Sequence, residues 1–213
     1  MFPAPLPPGV PAYWPDACAQ LRRADPVMGR LIEEHAPAAM VCRGNAFTTC
    51  ARAIVGQQIS VKAAASVWSR VLERFPSLTP TALVSAAPSM FEGLGLSARK
   101  VEYLRALAAH FYGQSNLEHA LRHDDDSQVI ARLTEIRGIG RWTAEMALIF
   151  ALGRPDVFPL ADLGVQKAIA CHYRHGKAIT TKTAERIARP WRPYRTVATW
   201  YLWRSLDPEP VEY

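Results

Sequence analysis

Apolar residues recur along nearly the whole chain at the three- and four-residue spacing of a helix face, and strand-like alternation never lasts more than a few residues. The pattern predicts an all-α protein. Many helix starts are marked by residues whose side chains accept hydrogen bonds from exposed backbone amides. Asp25-Pro26 combines such a cap with a proline, whose missing amide is no loss in the first turn. Asn45 precedes Ala46, Phe47, Cys50 and Ile54, and Ser60 precedes Val61, Ala64, Val67, Trp68 and Val71. The link Gly56-Gln57-Gln58-Ile59-Ser60 is therefore a sharp helix-to-helix corner. Short helices are also expected from Asp16 and over residues 80–85 and 88–94, and a longer one from Ser97 to about Gly113. Others should cover residues 127–136, 141–152, 162–173, 181–189 and 193–205. The acidic run Asp124-Asp125-Asp126 reads as capping charge for the helix that follows it.

Six of the first fifteen residues are proline, which holds residues 1–15 extended as an arm. The 213 residues, 49% hydrophobic, can fill one large core or two smaller ones. A net charge of +6 and a sequence pI near 9.4 permit a polyanionic partner without requiring one. Cys18, Cys42, Cys50 and Cys171 match no C-x2-C metal pair and are too sparse for a disulfide-stapled fold, so free thiols in a reducing compartment are expected. His172 and His175 lie near Cys171, but no second ligand pair is spaced to join them around a metal. No apolar run approaches the roughly 18 to 20 residues of a membrane span, and the first residues lack the basic and apolar regions of a signal peptide. The expected location is the cytoplasm, on the nucleoid, with no membrane association.

The segment with most chemical content is Leu133 to Ala144, a helix end, a Gly138-Ile139-Gly140 turn and a helix start. Glycines permit a tight turn and close approach to a surface. The amides of Gly138, Gly140 and the next helical turn, including Arg141 and Thr143, could then bind an anion such as a DNA phosphate, while Ile139 plugs into the helix pair. Those residues alone equally suit an ordinary αα-hairpin.

With its surroundings, this segment resembles the helix-hairpin-helix superfamily of DNA base-excision glycosylases, most closely the bacterial DNA-3-methyladenine glycosylase II group. The resemblance runs from about Asp25 to Leu206 and is carried by Phe47 with Arg52-Ala-Ile-Val-Gly-Gln-Gln-Ile-Ser60, Gly95-Leu96-Ser97 with Arg99-Lys100, the hairpin, the Val157 to Asp162 loop, and Trp191-Arg-Pro-Tyr-Arg195 leading to Trp200-Tyr-Leu-Trp203. It implies two helical lobes, residues 16–45 with 155–213 and residues 46–154, and an active site in the cleft between them. Double-stranded DNA containing damaged bases is the implied partner, a bacterial monomer is the expected form, and the damaged nucleotide is flipped into the site. The best-known enterobacterial-type members carry an additional N-terminal β-rich domain, which this sequence does not match.

Asp162, 22 residues after Gly140, stands where the family's catalytic aspartate is found. A fixed carboxylate suits the chemistry, because positive charge develops on the sugar as the base departs. Asp162 also suits an N-cap for the helix after it, and the two roles are compatible. Asp156 and then Glu145 are the alternative carboxylates, Asp156 reading as a turn residue. Superfamily members that also cut the strand place a lysine two residues after the second hairpin glycine. Trp142 stands there, so the β-lyase route should be closed and water should be the nucleophile.

By the same resemblance Gln58, or else Gln57, is the wedge that fills the gap left by the flipped nucleotide. Trp142 and Trp191 fall at positions that line the base pocket, Phe47 and Tyr201 fit pocket or core, and the spacing of Trp68, Trp200 and Trp203 suits core. No cofactor is required, but a structural Na+ or K+ on the carbonyls of Thr134, Ile136 and Ile139 is implied. The expected activity is hydrolytic release of 3-methyladenine and 7-methylguanine. The alternatives are a glycosylase for deaminated or etheno bases and a DNA-binding protein without catalysis.

Overall fold

The computed structural model describes residues 6–207, which contain helices and no strand. They form two compact units, one built from the residues up to Arg43 together with those from Gly153, the other from Gly44–Leu152.

The first unit holds α1 (Trp14–Ala24), α2 (Pro26–His35), α10 (Leu163–Arg174), α11 (Thr181–Ala188) and α12 (Arg195–Arg204). α12 is its core: every residue from Thr196 to Trp203 is buried, as expected of a helix that is packed on all sides. The unit also contains a buried carboxylate. Asp25 Oδ1 caps α2 by accepting the amides of Val27 at 2.9 Å and Met28 at 3.2 Å, while Oδ2 accepts the Tyr173 hydroxyl and the Trp191 indole, both at 2.8 Å. Burial and this neighbouring carboxylate push the Tyr173 hydroxyl well above its ordinary pKa.

The second unit holds α3 (Ala46–Gly56), α4 (Val61–Arg74), α5 (Pro80–Val84), α6 (Ala98–Gly113), α7 (Leu117–His123), α8 (Asp126–Thr134) and α9 (Arg141–Met146). α3 is central and touches α4, α6, α7 and α9. Small and apolar side chains let it sit there, and burial pushes the Cys50 thiol up to about 12.

The capping residues read from the sequence act as caps. Asn45 and Thr48 form a reciprocal capping box, Ser60 accepts the Ala63 amide, Ser97 accepts the Lys100 amide, and Asp125 forms a box with Gln128. Other details differ from the pattern. The proline arm ends before residue 15, because Pro15 sits in the first turn of α1, Trp14 is buried, and the Cys42 amide binds the Gly9 carbonyl at 2.8 Å. Residues 1–5 of that arm lie outside the described residues. α7 was not anticipated; it buries only Leu117 and Leu121 between charged neighbours, and its Glu118 accepts the amides of Ala46 and Phe47. The helix expected over residues 141–152 widens after Met146 into a π turn, Ala147–Ala151.

Replacing Asp25 with Ala removes a cap and leaves two aromatic donors buried without an acceptor. Asp25→Ala should lower unfolding free energy by roughly 3 kcal/mol or more, measured by urea denaturation. A loss under about 1 kcal/mol would show that these bonds contribute little.

Candidate functional site

The hairpin between α8 and α9 is closed by two turns, Ile136 amide to Leu133 carbonyl at 3.1 Å and Ile139 amide to Ile136 carbonyl at 3.0 Å. Ile136 and Ile139 are buried and anchor it. Its two glycines serve different ends. Gly138 has φ +92°, and a Cβ there would be driven into the ring of Tyr103 from α6. Gly140 has an ordinary extended backbone (φ −94°, ψ 173°), is exposed, and has open space where a Cβ would stand. It precedes α9 without a side-chain cap. Arg141 presents an exposed side chain whose Nε donates to buried Glu145 at 2.9 Å. The side chains of Ile139 and Thr143 are buried, so these two residues can offer an anion only their backbone amides.

The corner between α3 and α4 lies beside this hairpin. Gln57 is half-buried and its Nε2 donates to the Gly138 carbonyl at 3.2 Å. Gln58 is exposed and adopts φ 59°, a left-handed conformation uncommon outside glycine. Both glutamines, Arg99, Lys100, Tyr103 and the hairpin line a cavity of about 370 Å³. Burial lowers the Lys100 ammonium from its ordinary pKa.

In the other unit, Asp162 caps α10. Its Oδ1 accepts the Val165 amide at 2.8 Å and the Trp203 indole at 2.8 Å. Gly164 makes room for this arrangement, since a Cβ there would stand 3.1 Å from both Asp162 Oδ1 and Trp203 Cδ1. The neighbouring Leu163 is 71% exposed. Trp203 is thus more than the core residue its spacing suggested. The available signal was chemical, because a buried indole N–H usually finds an acceptor.

The two alternative carboxylates are committed elsewhere. Asp156 receives Arg195 through both oxygens, at 2.7 and 2.8 Å, and also accepts the Arg195 amide. Glu145 holds Arg141.

Of the four candidate pocket aromatics, Trp191 requires correction, while Phe47 and Tyr201 take the core side of their two readings. Trp191 is fully buried, edge-on to Phe158 and bonded to Asp25, so it is a core residue and presents no open wall. Phe47 is buried against Phe111, and Tyr201 is buried among Trp14, Trp200 and Cys18. Only Trp142 retains partial exposure. Among the described residues no group of His, Cys, Asp and Glu is placed to hold a metal ion, and no helix is long and apolar enough to cross a membrane.

Residues 51–193 match the profile of the HhH-GPD superfamily of base excision DNA repair proteins. DNA-3-methyladenine glycosylase 1 of Schizosaccharomyces pombe is 31% identical over 182 residues, covering 83% of this chain and 79% of that protein. DNA-3-methyladenine glycosylase 2 of Escherichia coli is 30% identical over 182 residues, covering 79% of this chain and 60% of that protein. The solved structure of the S. pombe 3-methyladenine DNA glycosylase Mag1 in complex with abasic DNA superposes with a TM-score of 0.78 at 30% identity, over 89% of this chain and 96% of that one.

The two hairpin glycines should separate in a stability assay. Gly138→Ala meets both a positive φ and the Tyr103 ring, and should lower unfolding free energy by roughly 2 kcal/mol or more. Gly140→Ala should change it by less than about 0.5 kcal/mol, as for a surface substitution without strain. Equal effects in thermal or urea unfolding would remove the packing reason for Gly138.

Proposed function

Because the chain belongs to the HhH-GPD superfamily of base excision DNA repair proteins, we propose that it is a monofunctional DNA glycosylase that hydrolyses the N-glycosidic bond of alkylated purines flipped out of double-stranded DNA. The observation that carries this reading is the Asp162 carboxylate, whose Oδ1 is held between the Val165 amide and the Trp203 indole. The names of the S. pombe and E. coli relatives support alkylated purines as the substrate class.

N-glycosidic cleavage places positive charge on the sugar before a nucleophile arrives. A carboxylate already fixed by two donors needs little reorganisation to stabilise that charge. Asp162 can also orient the water that attacks the same carbon. Trp142 stands where strand-cutting members carry an amine, so no Schiff base forms at that position and water completes the reaction. At the hairpin, the amides of Gly140, Arg141 and the first turn of α9 take a DNA phosphate, and the Arg141 guanidinium adds charge beside it. Gln58 fills the place of the flipped nucleotide.

The donor set suits the cation that the family resemblance implies. The Ile136 carbonyl already accepts the Ile139 amide, but among the described residues no backbone amide donates to the carbonyls of Thr134 or Ile139. Together the three would offer hard oxygen ligands to Na+ or K+, whose positive charge would favour an anion at the hairpin. No other cofactor is needed. The working form is a monomer in the cytoplasm.

With Trp191 in the core, selection of the base rests on Trp142. An indole stacks and attracts cations but cannot accept a hydrogen bond that identifies one base edge. Cationic 3-methyladenine and 7-methylguanine, already good leaving groups, should therefore leave faster than neutral hypoxanthine or ethenoadenine.

Single-turnover base release from duplexes bearing one lesion each tests both parts. The parent should release the cationic bases fastest, and Asp162→Asn should bind DNA normally but lose on the order of 10² to 10³ in rate. Asn caps helices about as well as Asp, so the fold is preserved. No base release by the parent would leave a DNA-binding protein without catalysis. Near-parental activity of Asp162→Asn would move the catalytic carboxylate elsewhere, and fastest release of a neutral lesion would overturn selection by charge.

A further inference from the structure

We infer that Gln57 is a positioning residue that fastens the wedge turn to the hairpin, so that hairpin seating on the DNA backbone and entry of Gln58 into the duplex are one coupled event. The inference rests on the glycosylase reading above. The Gln57 carboxamide reaches across 81 residues of sequence to donate to the Gly138 carbonyl. The Tyr103 ring occupies the place of a Cβ on that same glycine. Gly138 is thus held by α6 through packing and by the end of α3 through a hydrogen bond. A carboxamide used this way cannot fill a vacated base position without breaking its bond. Gln58, exposed and next in sequence, has no such commitment to Gly138 and is left as the wedge.

Two more contacts stiffen the corner. Lys100 Nζ donates to the Val55 carbonyl at 2.7 Å, in the last turn of α3, and the Gln57 amide closes that helix on the Ile54 carbonyl at 3.3 Å. The left-handed backbone of Gln58 follows directly. Such a conformation persists only where its surroundings over-determine it. The end of α3, the start of α6 and the hairpin supply that constraint from three directions around the 370 Å³ cavity. A phosphate bound at the hairpin therefore sets where Gln58 stands against the duplex, without any motion of one loop relative to the other.

The test compares Gln57→Met, which keeps length and volume but removes the donor, with Gln58→Ala. Undamaged-duplex affinity is measured by anisotropy across a salt series. Flipping is followed by the fluorescence of 2-aminopurine beside a non-cleavable, 2′-fluorinated 7-methylguanosine. Gln57→Met should weaken undamaged-duplex binding by about 3- to 10-fold, reduce the salt slope by about 1, and lower the fluorescence amplitude at saturation. Gln58→Ala should lower the amplitude alone, and should cost less in the Gln57→Met background than in the parent. Tyr103→Leu, which releases the same glycine from its packing side, should reproduce the Gln57→Met pattern. If Gln57→Met instead keeps undamaged affinity and slope and loses only amplitude, Gln57 is itself a wedge. If it changes nothing, the hydrogen bond is idle. Either result overturns the inference. Absence of base release by the parent would refute the glycosylase reading separately, since the salt-slope comparison needs no catalysis.

Discussion

A helix leaves its first backbone amides without partners, and the way each helix of this protein meets that requirement organises both units. Asp25, Asn45, Ser60, Thr79, Ser97, Asp125, Asp162 and Thr180 each cap the helix that follows. α12 has no cap of its own, but its Arg195 amide donates to Asp156 from an earlier loop. α1, α7 and α9 start without a side-chain cap, and at α9 the preceding residue is Gly140, exposed and without a side chain to offer. The run that starts there continues through the π turn to Ala151, so the free N-terminus belongs to a substantial helical segment. Open space at Gly140 leaves room there for a ligand to act as the cap.

The same requirement sorts the aspartates. Asp25 spends all its capacity inside the first unit, on two amides and two aromatic donors. Asp156 is matched by the Arg195 guanidinium. Asp162 Oδ1 takes both its cap bond and the Trp203 indole, and α10 begins beside the exposed Leu163 rather than under a packed layer. Its structural duty is therefore the source of its fixed geometry. A carboxylate that had to be immobilised by binding DNA would lose part of the advantage that preorganisation gives.

What the sequence made legible was mostly short-range. A cap and its helix lie within three residues of each other, so Asp25, Asn45, Ser60, Ser97 and Asp162 could be placed from local chemistry. The family resemblance supplied the catalytic reading of Asp162 that its local pattern left open. Less legible were features set by distant partners. α7 carries too few apolar residues to announce itself, and it is held partly by Glu118 bonding to the start of α3. The left-handed Gln58 follows a helix end whose Val55 and Gln57 are bonded to α6 and the hairpin, partners far away in sequence. Trp191 lies in the core on Asp25, and Trp203, core as its spacing suggests, also bonds Asp162, because spacing reports which face of a helix is apolar and not which carboxylate a buried indole finds. The hairpin glycines looked equivalent in sequence, yet only Gly138 is pressed against an aromatic ring.

In the proposed function the bare N-terminus of α9 is kept open for the DNA backbone, and Gly140→Ser probes that role. The backbone there suits a serine cap and no atom obstructs its side chain. The new hydroxyl would take an α9 amide for the protein itself, changing neither net charge nor packing. Serine in place of glycine at such a position is worth about a few tenths of a kcal/mol to the fold. Unfolding free energy should equal or slightly exceed the parent's, with affinity for undamaged duplex DNA about tenfold lower, as expected when a bond to a charged partner is lost. Affinity and salt dependence identical to the parent's, in a variant of unreduced stability, would contradict it.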